Sequence, residues 1–190
     1  MTLKLAIGVA LTSAALCAPA QAKKPAAADE AAVREIIAYV YKGYSLSTED
    51  VAGEGVEAAD DGPDAYKPPY TATLSTQIAQ WSGLMMATDE LYNLNSFDWY
   101  CQCQDFDSKT AKVTKQSYKA VGKDRIDASV LFSPGWAEQG HSGAPLLFRF
   151  KRERGKWLLD DLKFDGGGTL RSALANDIKD AKRDQAKARP

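Results

Sequence analysis

Apolar residues recur at helical spacing in two stretches of the first half of the chain. The first stripe begins after Asp29, a residue type that caps helices, and places its members on one face. Its members are Val33, Ile36, Ile37, Val40, Tyr41 and Tyr44. A second stripe starts near Tyr70 and ends near Tyr92, and comprises Leu74, Ile78, Trp81, Leu84, Met85 and Leu91. The pattern predicts two amphipathic helices joined by a long Gly-, Asp- and Pro-rich loop over residues 45–69.

After Ser108 the period changes to two, which is typical of strands with one buried face. The alternating segments are 112–121, 125–133, 145–152 and 157–164, and residues 169–187 follow as a polar helix. Because helices and strands are segregated along the chain, the sequence predicts an α+β fold. The expected architecture is two N-terminal helices packed on a curved antiparallel sheet of about four strands, with a C-terminal helix.

The first 22 residues follow a different pattern, that of a cleavable signal peptide. Lys4 precedes an apolar core of twelve residues (5–16), which is too short to span a bilayer as a helix, and Ala20-Gln21-Ala22 is a small-residue cleavage site. We therefore expect a periplasmic or secreted protein that starts near Lys23. Cys17 leaves lipid attachment as an alternative, against which the bulky Leu16 before it argues.

These boundaries predict one folded domain. A flexible lead-in is expected at 23–28, a single α+β domain at 29–176 and a polar C-terminal helix or tail at 177–190. No other segment is apolar enough to span a membrane, so we expect no transmembrane segment. With 25 acidic and 24 basic residues the chain has no overall attraction for nucleic acid, which is not expected as a partner.

Two stretches resemble a family of exported bacterial proteins known only as a domain of unknown function (DUF3828). One is Asp98 with Gln104-Asp105, and the other is Trp157-Leu158-Leu159-Asp160-Asp161-Leu162 followed by Gly167-Gly168-Thr169-Leu170-Arg171. The order of elements is similar to the cone-shaped nuclear-transport-factor-2-like fold. The resemblance implies a fold and a compartment; it implies no reaction.

A fold of that kind implies a central pocket near the junction of helices and sheet. The residues predicted to line it are Trp81, Asp98, Trp99, Gln104, Asp105 and Trp157. A carboxylate against aromatic rings can have a raised pKa and act as an acid or base. The alternative is that these carboxylates cap a turn by binding its backbone amides.

Cys101-Gln102-Cys103 is the most unusual local feature. In an extended strand the two Cα atoms would be roughly 6.5–7 Å apart, near the upper limit for a disulfide, whereas a bend would bring them closer. A structural disulfide, buried thiols, a redox role and a metal site remain open. The last is incomplete, because the chain has one histidine and zinc takes four ligands.

No motif assigns a reaction. His141 is interpreted as an exposed loop residue, the Gly166-Gly167-Gly168 run as a turn, and no nucleophile elbow surrounds Ser142. We predict no catalytic residues, no metal and no cofactor. The leading hypothesis is an exported binding or interaction domain for a small ligand or an envelope protein. Alternatives are a small enzyme using an Asp/Tyr acid–base pair, and a secreted inhibitor or immunity protein against an envelope-active enzyme.

Overall fold

The computed structural model describes residues 23–45, 66–86, 94, 97–135 and 144–188. Along the chain its elements are α1 (Ala27–Lys42), α2 (Ala72–Met85), β1 (Lys112–Ala120), β2 (Arg125–Ser133), β3 (Leu146–Glu153), β4 (Lys156–Lys163) and α3 (Leu170–Ala188). The four strands form one antiparallel sheet in the order β1-β2-β3-β4. The α+β fold predicted from the two hydrophobic periods is therefore confirmed.

The alternation of the strands separates a buried face of the sheet from a polar face. In β2, Ile126, Ala128 and Val130 are buried, and in β3 the buried positions are Leu146, Phe148 and Phe150. Register pairs Ile126 with Phe150 and Ala128 with Phe148, so one continuous apolar surface forms. The buried side chains of all three helices join this surface in a single core cluster.

A β-bulge in β4 explains how two successive aspartates fit a strand beside the core. Leu159 pairs with Phe150 and Leu162 with Phe148, so the two residues of β4 between these leucines face a single residue of β3. Both leucines stay buried, and Asp161 faces Arg149 across the strands, with 3.6 Å between Oδ2 and Nη1. The strict alternation that the sequence suggests is interrupted here.

Helix α1 begins before Asp29, its predicted cap, and Asp29 connects the helix to the sheet instead. Ala26 is the N-cap and makes no side-chain cap, whereas Asp29 lies in the first turn. The Asp29 carboxylate accepts hydrogen bonds from the Arg152 guanidinium and from Trp157 Nε1 (3.2 Å). The prediction that Asp29 caps the helix is wrong, because two donors of the sheet use this carboxylate instead.

Helices α2 and α3 are fixed to β4 by its two aspartates. Thr71 caps α2 by accepting the Leu74 amide hydrogen, and its hydroxyl donates to Asp160 Oδ1 (3.1 Å). Asp161 Oδ1 accepts the backbone N–H of Arg171 in the first turn of α3 (3.0 Å). Helix α2 ends at Met85, and the predicted extension to Tyr92 lies outside the described residues. None of these helices is both long and apolar enough to cross a bilayer.

Candidate ligand-binding cavity

A cavity of about 390 Å³ lies between α2 and the segment that follows it. Its volume falls within the roughly 300–1,000 Å³ of small-molecule sites. Of the ten described residues that line it, five are aromatic and three others, Lys67, Ser82 and Asp98, are polar or charged. The cavity is lined by Lys67, Tyr70, Ile78, Trp81, Ser82, Leu94, Phe97, Asp98, Trp99 and Tyr100.

Two tryptophans form fixed walls of this cavity. The rings of Trp81 and Trp99 meet edge to face with centroids 5.6 Å apart. Trp81 Nε1 donates to Oδ2 of the buried Asp177 on α3 (3.2 Å), and Trp99 Nε1 donates to the carbonyl of Leu94 (3.0 Å). Because internal acceptors hold both indole N–H groups, these side chains present apolar ring surface to a ligand.

The two carboxylate oxygens of Asp98 differ in their contacts. Its Oδ1 accepts the Tyr44 hydroxyl, the Tyr100 backbone N–H (2.7 Å) and the Cys101 backbone N–H (3.2 Å). No described residue donates a hydrogen bond to Oδ2. Asp98 therefore caps a turn through Oδ1, which is one of the two roles that the sequence suggested for it. It also lines the cavity, and its Oδ2 can accept a hydrogen bond.

The tyrosines near Asp98 are neutral donors at physiological pH. Burial, with a smaller contribution from the negative charge of Asp98, raises the pKa of Tyr44 far above its ordinary value. The pKa of Tyr41 is raised for the same two reasons. A tyrosine with a raised pKa stays protonated near neutrality and is a weak acid, so in this state the Tyr44 hydroxyl serves as a hydrogen-bond donor to Asp98.

Hydrogen bonds also fix Tyr100 in the cavity wall. The Tyr41 hydroxyl donates to the carbonyl oxygen of Tyr100 (2.7 Å), and the hydroxyls of Tyr70 and Tyr100 bond to each other. The Tyr100 ring stacks on Phe148 of β3 with centroids 6.3 Å apart. The cavity is thus attached to the sheet through α1 and β3, although no residue of the sheet lines it.

A disulfide between Cys101 and Cys103 closes the turn that carries Asp98, Trp99 and Tyr100. Gln102 has a positive φ of 51°, and this bend brings the cysteine Cα atoms to 5.1 Å, well below the extended spacing. Both cysteines are buried, and Asp98 N–H donates to the Cys103 carbonyl (3.0 Å). The disulfide therefore holds the polypeptide that forms one cavity wall.

The structure brings together three of the six residues predicted to share a pocket. Trp81, Asp98 and Trp99 line the cavity. Gln104 and Asp105 are exposed and do not line it, because the chain reverses at Gln102. The sixth predicted position, Trp157, lies at a separate cleft. His141, which was interpreted as an exposed loop residue, lies outside the described residues.

Several cavity residues were not predicted. Lys67 and Tyr70 precede α2 at the end of the long loop, where no sustained periodicity marks them. Phe97 and Tyr100 belong to the aromatic segment around Asp98, whose density of rings was the available signal. Within the described part of the chain, no three or more His, Cys, Asp or Glu residues are grouped so that they could bind a metal ion.

Comparisons with known proteins identify no family. No protein-family profile and no curated protein sequence matches the chain. A crystal structure of a protein of unknown function from Bacteroides thetaiotaomicron VPI-5482 aligns with 72% of this chain and 95% of its own, at 20% sequence identity and a TM-score of 0.35. Similarity at this level does not establish a family, so the resemblance to exported cone-fold proteins stays a prediction.

Proposed function

We propose that this protein is an exported, non-catalytic binding domain that holds a small organic ligand in the cavity beside α2. The observation that carries the proposal is a cavity of about 390 Å³ walled by fixed aromatic rings and lined by a carboxylate whose Oδ2 lacks a partner among the described residues. Small-molecule sites commonly combine aromatic side chains with a few polar groups that fix the orientation of the ligand.

The wall chemistry selects a ligand with a ring and a hydrogen-bond donor. Trp81 and Trp99 offer ring surface, and Asp98 Oδ2 offers an acceptor that a hydroxyl, amine or ammonium group can satisfy. An ammonium group can form a charge-assisted hydrogen bond with Asp98, roughly twice as strong as a neutral one, against the repulsion of Lys67, which also lines the cavity. An aromatic amine is therefore a suitable first probe.

The test is a titration with 2-phenylethylamine, followed through the indole N–H signals of the tryptophans by NMR. We expect the signals of Trp81 and Trp99 to shift and that of Trp157 to stay. Ser82→Phe places a ring in the cavity and should abolish the shifts. Ser75→Phe places the same ring on the exposed side of α2 and should leave them unchanged. Absent shifts, or equal shifts in both variants, contradict the proposal.

Two features support the exported location. The N-terminal 22 residues have the order of a signal peptide, and Cys101 and Cys103 form a disulfide, a bond that persists mainly in oxidising compartments.

The alternatives gain less support from the structure. A small enzyme would need a titrating partner for Asp98, and the raised pKa of Tyr44 works against that role. An inhibitor or immunity protein would dock through residues 45–69 or 134–144, most of which lie outside the described residues. No specific contact favours either alternative over ligand binding.

A further inference from the structure

A second cleft, of about 350 Å³, lies where the segment before α1 meets the β1–β2 turn. The backbone of Lys23 pairs with the edge of β1, since its carbonyl accepts the Ala120 N–H (2.8 Å). This pairing fixes the segment as one wall. The cleft is lined by Lys23, Lys24, Pro25, Ala26, Asp29, Ala120, Gly122, Lys123, Arg125, Ile126 and Trp157.

Positive charge dominates this lining. Among the described residues of the lining, four are Lys or Arg and Asp29 alone is acidic. The Asp29 carboxylate is already bound by the Arg152 guanidinium and by Trp157 Nε1 (3.2 Å). The guanidinium also lies over the Trp157 ring, 4.5 Å from its centroid, which holds this arrangement in place.

The basic side chains of the cleft are short of counter-charges. Lys24 approaches Glu30 at 3.8 Å, with its side chain 81% exposed, so that pair is weak. Within the described ranges, Lys23, Lys123 and Arg125 form no ion pair. Like charges gathered in a concave surface raise the local positive potential, and an anion lowers it.

We infer that this cleft binds the phosphate group of a small anionic molecule. Lysine ammonium groups act as point charges for phosphate, and a guanidinium can bind two phosphate oxygens at once. The volume of about 350 Å³ is that of a small-molecule site and leaves room for an organic substituent. The site is separate from the aromatic cavity, with which it shares no lining residue.

The test uses the full chain as the expressing cell processes it, titrated with inorganic phosphate and with phenyl phosphate at constant ionic strength set by chloride. Lys123→Gln/Arg125→Gln should weaken phosphate binding at least about tenfold. Lys112→Gln/Lys115→Gln removes the same charge from exposed positions of β1 outside the cleft, and should change it less than about twofold. Unchanged unfolding midpoints show that both variants fold.

A second arm distinguishes the source of the phosphate. Vesicles of phosphatidylcholine with phosphatidylglycerol are added to the same three proteins. Vesicle binding that only the cleft variant loses identifies a lipid headgroup, and binding of the phosphate compounds alone identifies a soluble ester; both support the site. Phosphate that binds no better than chloride, or an equal loss in both variants, overturns it.

Discussion

At the residue scale, the contact between Tyr44 and Asp98 decides how the cavity wall is built. The Tyr44 side chain is almost fully buried, and its hydroxyl donates to the same oxygen that accepts two backbone N–H groups. Tyr44→Phe removes one donor and keeps the ring. We expect the free energy of unfolding to fall by about 1.5–3 kcal/mol, the range for hydrogen bonds to charged groups.

The interaction energy between Tyr44 and Asp98 can be measured by urea denaturation in a double-mutant cycle that combines Tyr44→Phe with Asp98→Asn. If the hydroxyl and the carboxylate interact, the double variant should lose less stability than the sum of the single variants. Additive losses would show that Tyr44 acts only through its ring, which contacts Phe106 and Phe132.

The raised pKa of Tyr44 also predicts a dependence of stability on alkaline pH. The pKa of the folded state lies above the unfolded value near 10, so the stabilisation is fully present below pH 10. Above that pH the unfolded tyrosine ionises while the folded one stays neutral, and stability falls by about 1.4 kcal/mol per pH unit for each such residue.

Unfolding free energies measured between pH 8 and 11.5 test this slope. Tyr44→Phe should reduce the slope by the share of one tyrosine, and Tyr41→Phe should do the same. An unchanged slope in the Tyr44 variant would contradict the assignment.

At the element scale, Asp161 connects β4 to the start of α3. It is 8% exposed, and its Oδ1 accepts the backbone N–H groups of Leu162 and Arg171, both at 3.0 Å. Asp161→Ala leaves a partly buried N–H without its acceptor, and should lower the free energy of unfolding by about 1–3 kcal/mol. Chemical denaturation measures this, with Asp184→Ala on α3 as a control. Asp184 makes only surface ion pairs with Arg183 and Lys187 among the described residues, and such pairs contribute little, so this variant should lower the midpoint far less.

The disulfide is an element-scale constraint with a small expected effect on global stability. It closes a loop of three residues, and the chain-entropy relation gives about 1.6 kcal/mol for so short a loop. Cys101→Ala/Cys103→Ala should lose about that amount, and amide exchange should accelerate at Tyr100. A reducing agent should cause the same change in the wild type and none in the variant; a much larger loss would show that the turn supports the whole core.

Local patterns predict the elements well because burial on one face leaves a period in the sequence. The alternating residues Ile126, Ala128 and Val130 are buried, and so are five of the six members of the helical stripe that ends at Tyr44. The bulge in β4 leaves no period in the sequence. Asp160 is accommodated there by contacts with Thr71, which is remote in sequence, and with Arg171, which lies in the next helix.

Membership of the cavity was harder to predict than the fold for the same reason. Asp98 and Asp105 are equivalent in the sequence, each beside an aromatic residue, yet the bend at Gln102 puts one in the cavity and the other in solvent. Trp157 joins Asp29, a partner 128 positions earlier, instead of the aromatic cavity. Such choices depend on tertiary contacts that periodicity does not encode.

At the scale of the whole molecule, the proposed export accounts both for the N-terminal signal-peptide pattern and for the disulfide. Expression with the native N-terminus in a bacterium that has a periplasm should release a processed protein beginning Lys-Lys-Pro, after cleavage at Ala22. N-terminal sequencing and intact mass of the periplasmic fraction measure this. Replacing Val9 and Leu11 by Arg interrupts the apolar core and should retain the unprocessed chain in the cytoplasm.

The same measurement separates release from lipid anchoring. Release predicts a mass without acyl chains and recovery of the protein from the osmotic-shock fluid, whereas lipid attachment at Cys17 predicts a heavier product that sediments with membranes. If the protein is released and not lipid-anchored, Cys17→Ser should leave processing at Ala22 intact. An unprocessed wild-type chain in the cytoplasm would contradict export, and would also require the Cys101–Cys103 disulfide to form in a reducing compartment, where such bonds are rare.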